Sequence, residues 1–163
     1  MKKKSNTRVF SVLVALSAFV AIMCMFADIF SEKVNSPEGN IFVAMFGMHN
    51  SDYCVIWPLV GAFCLLCLLV LVGFAGFMLG DAGKKFIPLI EAVLGIAVGV
   101  MFFFVIQFFY NANATACDLG TYEYFLKSHA EITLGSGSIC VIVFSFFSAA
   151  LALLNFATES KNK

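Results

Sequence analysis

"VIWPLVGAFCLLCLLVLVGFAGFML", residues 55 to 79, contains no charged residue, and its only polar groups are two thiols and the Trp57 indole. At about 1.5 Å of rise per helical residue the run is long enough to cross the roughly 30 Å of hydrocarbon in a bilayer. Three more runs of the same character cover residues 9–30, 86–110 and about 132–157. None alternates with period two, so a β-barrel is excluded. A backbone that must satisfy its own hydrogen bonds in lipid is then helical. The expected fold class is an all-α integral membrane protein, a single four-helix transmembrane bundle, with two outer loops forming a small cap.

Composition agrees. Of 163 residues, 61% are hydrophobic and only 12% charged, with a mean hydropathy of +0.96. A chain of this size cannot hide so much apolar surface in a water-soluble core, so lipid is its solvent. With formal net charge zero, nothing points to nucleic acid as a partner. Lys2, Lys3 and Lys4 precede the first run as in a secretory signal, but an apolar stretch of about 22 residues is longer than such signals carry. In "AIMC" the residue before Cys24 is Met23, where a lipoprotein signal needs a small one. The first helix is therefore expected to be retained.

Charge asymmetry sets the expected orientation. Lys2, Lys3, Lys4, Arg8, Lys84, Lys85, Lys161 and Lys163 fall on one side of the four crossings, and only Lys33 and Lys127 on the other. By the positive-inside rule both termini are cytoplasmic and the protein resides in the cell membrane. "GDAGKK", residues 80–85, reads as a tight turn between the second and third spans. The first outer loop, 31–54, carries an apolar patch at 41–48 that is too short to span; it lies at the interface, packs over the bundle or forms a strand. The outer loops together hold Glu32, Glu38, Asp52, Asp118, Glu123 and Glu131, an acidic cap.

Six cysteines raise the question of redox chemistry. Cys64 and Cys67 form a C-x-x-C inside the second span. With Cys117 in the second outer loop, this layout resembles the quinone-linked disulfide-forming membrane proteins, and the resemblance implies a thiol oxidoreductase. Those proteins keep their first pair at the outer surface with a basic residue shortly after it, whereas "CLLCLLVLVGF" runs on without charge. If the span starts near Trp57 and Pro58, Cys64 lies on the order of 10 Å deep and Cys67 nearer 15 Å, where a reactive thiolate is disfavoured. Both therefore read as small packing residues, and so do Cys24 and Cys140, which this reading places mid-span. Cys54 and Cys117 are the pair on the aqueous outer side, and a disulfide between them is expected to tie the two loops together.

Glu91 is the carboxylate well inside a span. Such groups are functional candidates by default, in ion pathways or proton relays. Pro88 marks the first turn of the third helix, so Glu91 is expected near the membrane boundary, snorkelling and pairing with Lys84 or Lys85. Asp28, Gln107 and Asn155 are near span ends and are expected to reach water. His49 and His129 have no metal-ligand spacing, so no metal and no cofactor is expected. Gly76 with Gly80, and Gly95 with Gly99, are four apart, the spacing that lets neighbouring helices approach closely within a bundle or between chains.

Four helices with both termini inside and cystine-tied outer loops resemble the tetraspan plan of claudin-like proteins, in topology rather than in motif. The function expected from these residues is non-enzymatic: a multi-pass protein acting by association with itself or another membrane protein, as scaffold, accessory subunit or outer-surface interaction module. The alternatives are a small transporter or channel component using Glu91, and a thiol oxidoreductase using Cys64 and Cys67.

Overall fold

The structure, a computed structural model, describes residues 7–31, 40–46, 55–80, 86–113 and 133–161. Its elements are α1 (Thr7–Cys24), β1 (Phe30–Ser31), α2 (Ile41–Met45), α3 (Trp57–Leu79), α4 (Ile87–Phe103), α5 (Val105–Asn113), β2 (Thr133–Leu134) and α6 (Ser136–Lys161). Three helices, α1, α3 and α6, are long and apolar enough to cross a membrane, and α4 with α5 qualifies as a fourth crossing if the bent pair counts as one. These helices fit an all-α membrane bundle.

The bundle is a ring in which α1 packs on α3, α3 on α4, α4 on α6 and α6 on α1. The hydroxyl of Thr7 in α1 hydrogen-bonds the Glu159 carboxylate of α6 at 3.3 Å, so the two helix ends nearest the chain termini share one end of the ring. Large apolar side chains such as Leu16, Phe19, Leu71, Phe74, Val93 and Phe147 are exposed around the wall. That is the surface of a bundle solvated by lipid.

Two helix starts follow from their sequence. Pro58 and Pro88 occupy the first turns of α3 and α4, where a missing N–H leaves no intrahelical bond unmade. At the other end of α3, Gly80 has φ +51°, and the Arg8 side chain lies against its Cα. A residue with a Cβ would be strained there.

The far end of the ring, opposite the termini, departs from the expected spans. The first helix stops at Cys24, not at residue 30. Met25 to Ser31 leaves the helix because its backbone finds partners outside it. Phe30 pairs with Leu134 and Ser31 with Thr133 in an antiparallel two-stranded sheet, Asp28 bridges Asn40, and Phe42 N donates to Met25 O at 2.9 Å. The apolar patch after residue 40 forms the short helix α2. Asn40 Oδ1 caps it by accepting from Val43 N at 2.8 Å, and Ile41, Ala44 and Met45 turn inward to close the bundle end.

The third run is not one straight helix either. It breaks at Phe104, and α4 and α5 are bent by 60°. Phe104 N donates to Met101 O at 3.2 Å, a tightened last turn, and Phe108 N donates back to Phe104 O at 2.9 Å to restart the ladder. The bend swings α5 over the bundle end, where Val105 and Phe109 are buried and the Phe109 ring packs edge-on against Phe30, centroids 5.1 Å apart. The fourth run begins at Ser136 as a helix, after the strand at 133–134, and continues past residue 157 to Lys161.

Candidate functional site

The buried face of α4 reads Pro88, Glu91, Ala92, Gly95, Val98, Gly99 and Phe102. The glycines explain why a carboxylate ends up on it. At Gly95 an added Cβ would lie 2.8 Å from Ser145 O and 3.1 Å from Ala149 N of α6; at Gly99 it would meet the Phe146 ring at 2.8 Å. The two backbones therefore come close only because these positions carry no side chain. Glu91, one turn from Gly95, is carried into the same seam.

The same device works on the opposite side of the ring. Gly73 of α3 sits against Ala15 and the Ser11 carbonyl, with added-Cβ distances of 2.8 and 2.9 Å, and Gly76 sits against the Ser11 hydroxyl and the Ile87 side chain. This contact draws α1 onto α3 and points Ser11 inward.

Glu91 is 0% exposed, and neither carboxylate oxygen has a hydrogen-bond partner among the described residues. The Ser11 hydroxyl faces it outside hydrogen-bond geometry and is itself unpaired. Asn155 of α6 is also 0% exposed, and both its amide atoms lack partners among the described residues. Register places all three at nearly one height. Thr7 meets Glu159 and Ser17 donates to Phe144 O at 3.0 Å, while Gly95 meets Ala149. Glu91, Ser11 and Asn155 thus form a polar layer in the terminal half of the interior, with the buried hydroxyls of Ser145 and Ser148 further along α6. A buried polar group without a partner costs about 1–3 kcal/mol, and an uncompensated buried charge more.

Two expectations are corrected here. Glu91 lies about 6 Å past the first residue of α4, near the helix start as expected, but it does not snorkel, because its side chain is buried inside the ring. Asn155 does not reach water, because it shares the buried stripe of α6 with Ser145, Ser148 and Ala152. Lys84 and Lys85, proposed partners of Glu91, lie outside the described residues, as do His49, His129, Cys54 and Cys117 with their expected disulfide. Asp28 and Gln107 are exposed.

Beyond the polar layer, toward the far end, the ring is filled by one apolar cluster that includes Ala21, Met25, Leu59, Leu66, Phe102 and Phe109. Of the C-x-x-C pair, Cys64 is exposed on the wall and Cys67 half-buried. Gly76, Gly95 and Gly99 face helices of the same chain, and Gly80 faces Arg8. A groove of about 420 Å³ between α1 and α3, lined by Val12, Ala15, Leu16, Phe19, Val70 and Phe74, opens on the wall. Among the described residues no group of three or more His, Cys, Asp or Glu is placed to hold a metal.

Sequence reasoning missed Ser11 and Gly73. The three-residue spacing of Gly73 and Gly76 is the signal that could have found the second, but no local feature of α1 says which helix supplies the opposing serine. It also missed that Cys24 and Cys140 come near each other, because it places both mid-span, whereas Cys24 ends α1 and Cys140 lies in the second turn of α6. The chain matches no protein-family model, no characterised protein and no solved structure.

Proposed function

We propose that this is a non-enzymatic multi-pass membrane protein that acts by association, as a scaffold or accessory subunit of a membrane assembly, with both termini in the cytoplasm. The observation that carries the reading is the closed interior. The apolar cluster from Ala21 to Phe109 fills the ring across its far half, and the C-x-x-C is spread over a lipid-facing and a half-buried position. The chain therefore offers other molecules its wall and its ends rather than a passage or a reactive cleft. The lysine asymmetry supports the orientation, and the shared end of Thr7 and Glu159 agrees with an even number of crossings. The test is cross-linking in intact membranes followed by extraction in mild detergent. The reading expects a defined complex, with itself or with another membrane protein, and a strictly monomeric, partner-free chain overturns it.

Glu91 favours a second reading, a component of a proton- or cation-coupled transporter. Its support is the unpaired carboxylate in the polar layer with Ser11 and Asn155. Flux through reconstituted vesicles that disappears in Glu91→Gln while the protein remains folded would place the second reading first.

A further inference from the structure

Cys24 is the last residue of α1 and Cys140 lies in the second turn of α6, 116 positions apart in sequence (140 − 24). The crossing of these helices brings them together. Gly137 lets α6 ride on the end of α1: an added Cβ there would be 2.7 Å from Ala27 O and 2.8 Å from Cys24 O. Gly137 N donates to Asp28 O at 3.0 Å, and the buried Ser138 hydroxyl donates to Ile29 O at 2.8 Å. One further turn into the membrane, Ser17 donates to Phe144 O. Cys140 lies between these ties, three residues past Gly137 and so on the face of α6 that meets the Cys24 end of α1. Both residues are half-buried rather than enclosed. Their depth also differs from that of the C-x-x-C. Cys140 is about 6 Å from the start of its helix and Cys24 is at the very end of its own, whereas Cys64 is about 10 Å into α3.

We propose that Cys24 and Cys140 are a redox-active dithiol, oxidised by a low-molecular-weight disulfide to an internal cystine that staples the far ends of α1 and α6. In the first step one cysteine sulfur attacks the reagent's S–S bond, forming a mixed disulfide and expelling one half of the reagent as a thiol. The second cysteine then attacks the protein sulfur of that mixed disulfide, and the new Cys24–Cys140 bond expels the other half. Two electrons pass from the protein thiols to the reagent, and both thiol protons leave on the released halves. Because the native helix crossing already places the two cysteines side by side, the second step is intramolecular and outruns attack by another reagent molecule.

The experiment uses the full chain in membranes, with Cys54→Ser, Cys64→Ala, Cys67→Ala and Cys117→Ser, and dithiodipyridine as the oxidant. The expected result is loss of both remaining thiols, no reagent half retained on the protein, and a 24–140 cross-linked peptide that reduction abolishes. Adding Cys24→Ser to this background should leave a stable adduct on Cys140. Retention of a reagent half on each cysteine, or two thiols that remain separately alkylatable, overturns the proposal. Should the four-site variant fail to accumulate, the unmodified chain treated in the same way must yield the 24–140 peptide, and its absence is equally decisive.

Discussion

The Ser11 hydroxyl of α1 rests against the bare Cα of Gly76 in α3, so the serine occupies the space that a side chain at residue 76 would need. The same contact leaves Ser11 facing Glu91 in the interior. Close helix packing and the polar layer therefore depend on one another, and most of what can be tested follows from that coupling.

Gly95→Leu should be destabilising. Its first added atom meets Ser145 O and the Ala149 backbone, which cannot rotate away, and overpacking of this kind costs about 1–3 kcal/mol or more. Gly61→Ala is the control: its added Cβ meets only the end of Met101 at 3.8 Å, so the change should be neutral or stabilise by up to about 1 kcal/mol through helix propensity. Unfolding of the purified proteins in mixed micelles distinguishes the two, and equal midpoints for both variants would be evidence against the α4–α6 seam.

Asn155→Leu should be tolerated or stabilising by about 1–3 kcal/mol, because it removes two buried polar atoms that have no partner among the described residues and keeps the same branched heavy-atom skeleton. Asn155→Asp places a second carboxylate in the layer that holds Glu91, so it should lower expression. If Asn155→Leu unfolds the protein instead, the amide has a partner that this arrangement lacks.

Ser138→Ala removes the buried hydrogen bond to Ile29 O. The expected loss is about 1 kcal/mol, felt first at the far end. Amide exchange should accelerate at Phe30 and Leu134 while the middle of α6 is unchanged. Uniform acceleration along α6 would show that the sheet is not a local unit.

Cys64 and Cys67 should react with an apolar maleimide before a charged one, since Cys64 faces the wall and neither is near a helix end. Rapid labelling of Cys64 by a charged, membrane-impermeant maleimide in intact vesicles would place that part of α3 in water and revive the oxidoreductase alternative.

Much of the architecture was legible in the chain. Long uncharged runs make helices in lipid regardless of their neighbours, because an unsatisfied backbone is too unfavourable there, and Pro58 and Pro88 mark two starts by local geometry alone. Glu91 could be singled out because an acidic residue in such a run is conspicuous. Its surroundings could not be read. Whether a residue one turn into a helix snorkels or turns inward depends on the face that the neighbouring helices cover, and that was decided by the glycine seams against α1 and α6. The far end was equally a tertiary matter: residues 25–31 are apolar enough to continue a helix, but extended pairing with residues 40–42 and 133–135 satisfies their backbone instead. By itself, then, the amino-acid order determined that helices form and where the apolar runs lie, through hydrophobicity and backbone hydrogen bonding. Which residues come together, Ser11 beside Glu91 and Cys24 near Cys140, was decided only by packing between residues far apart in the chain.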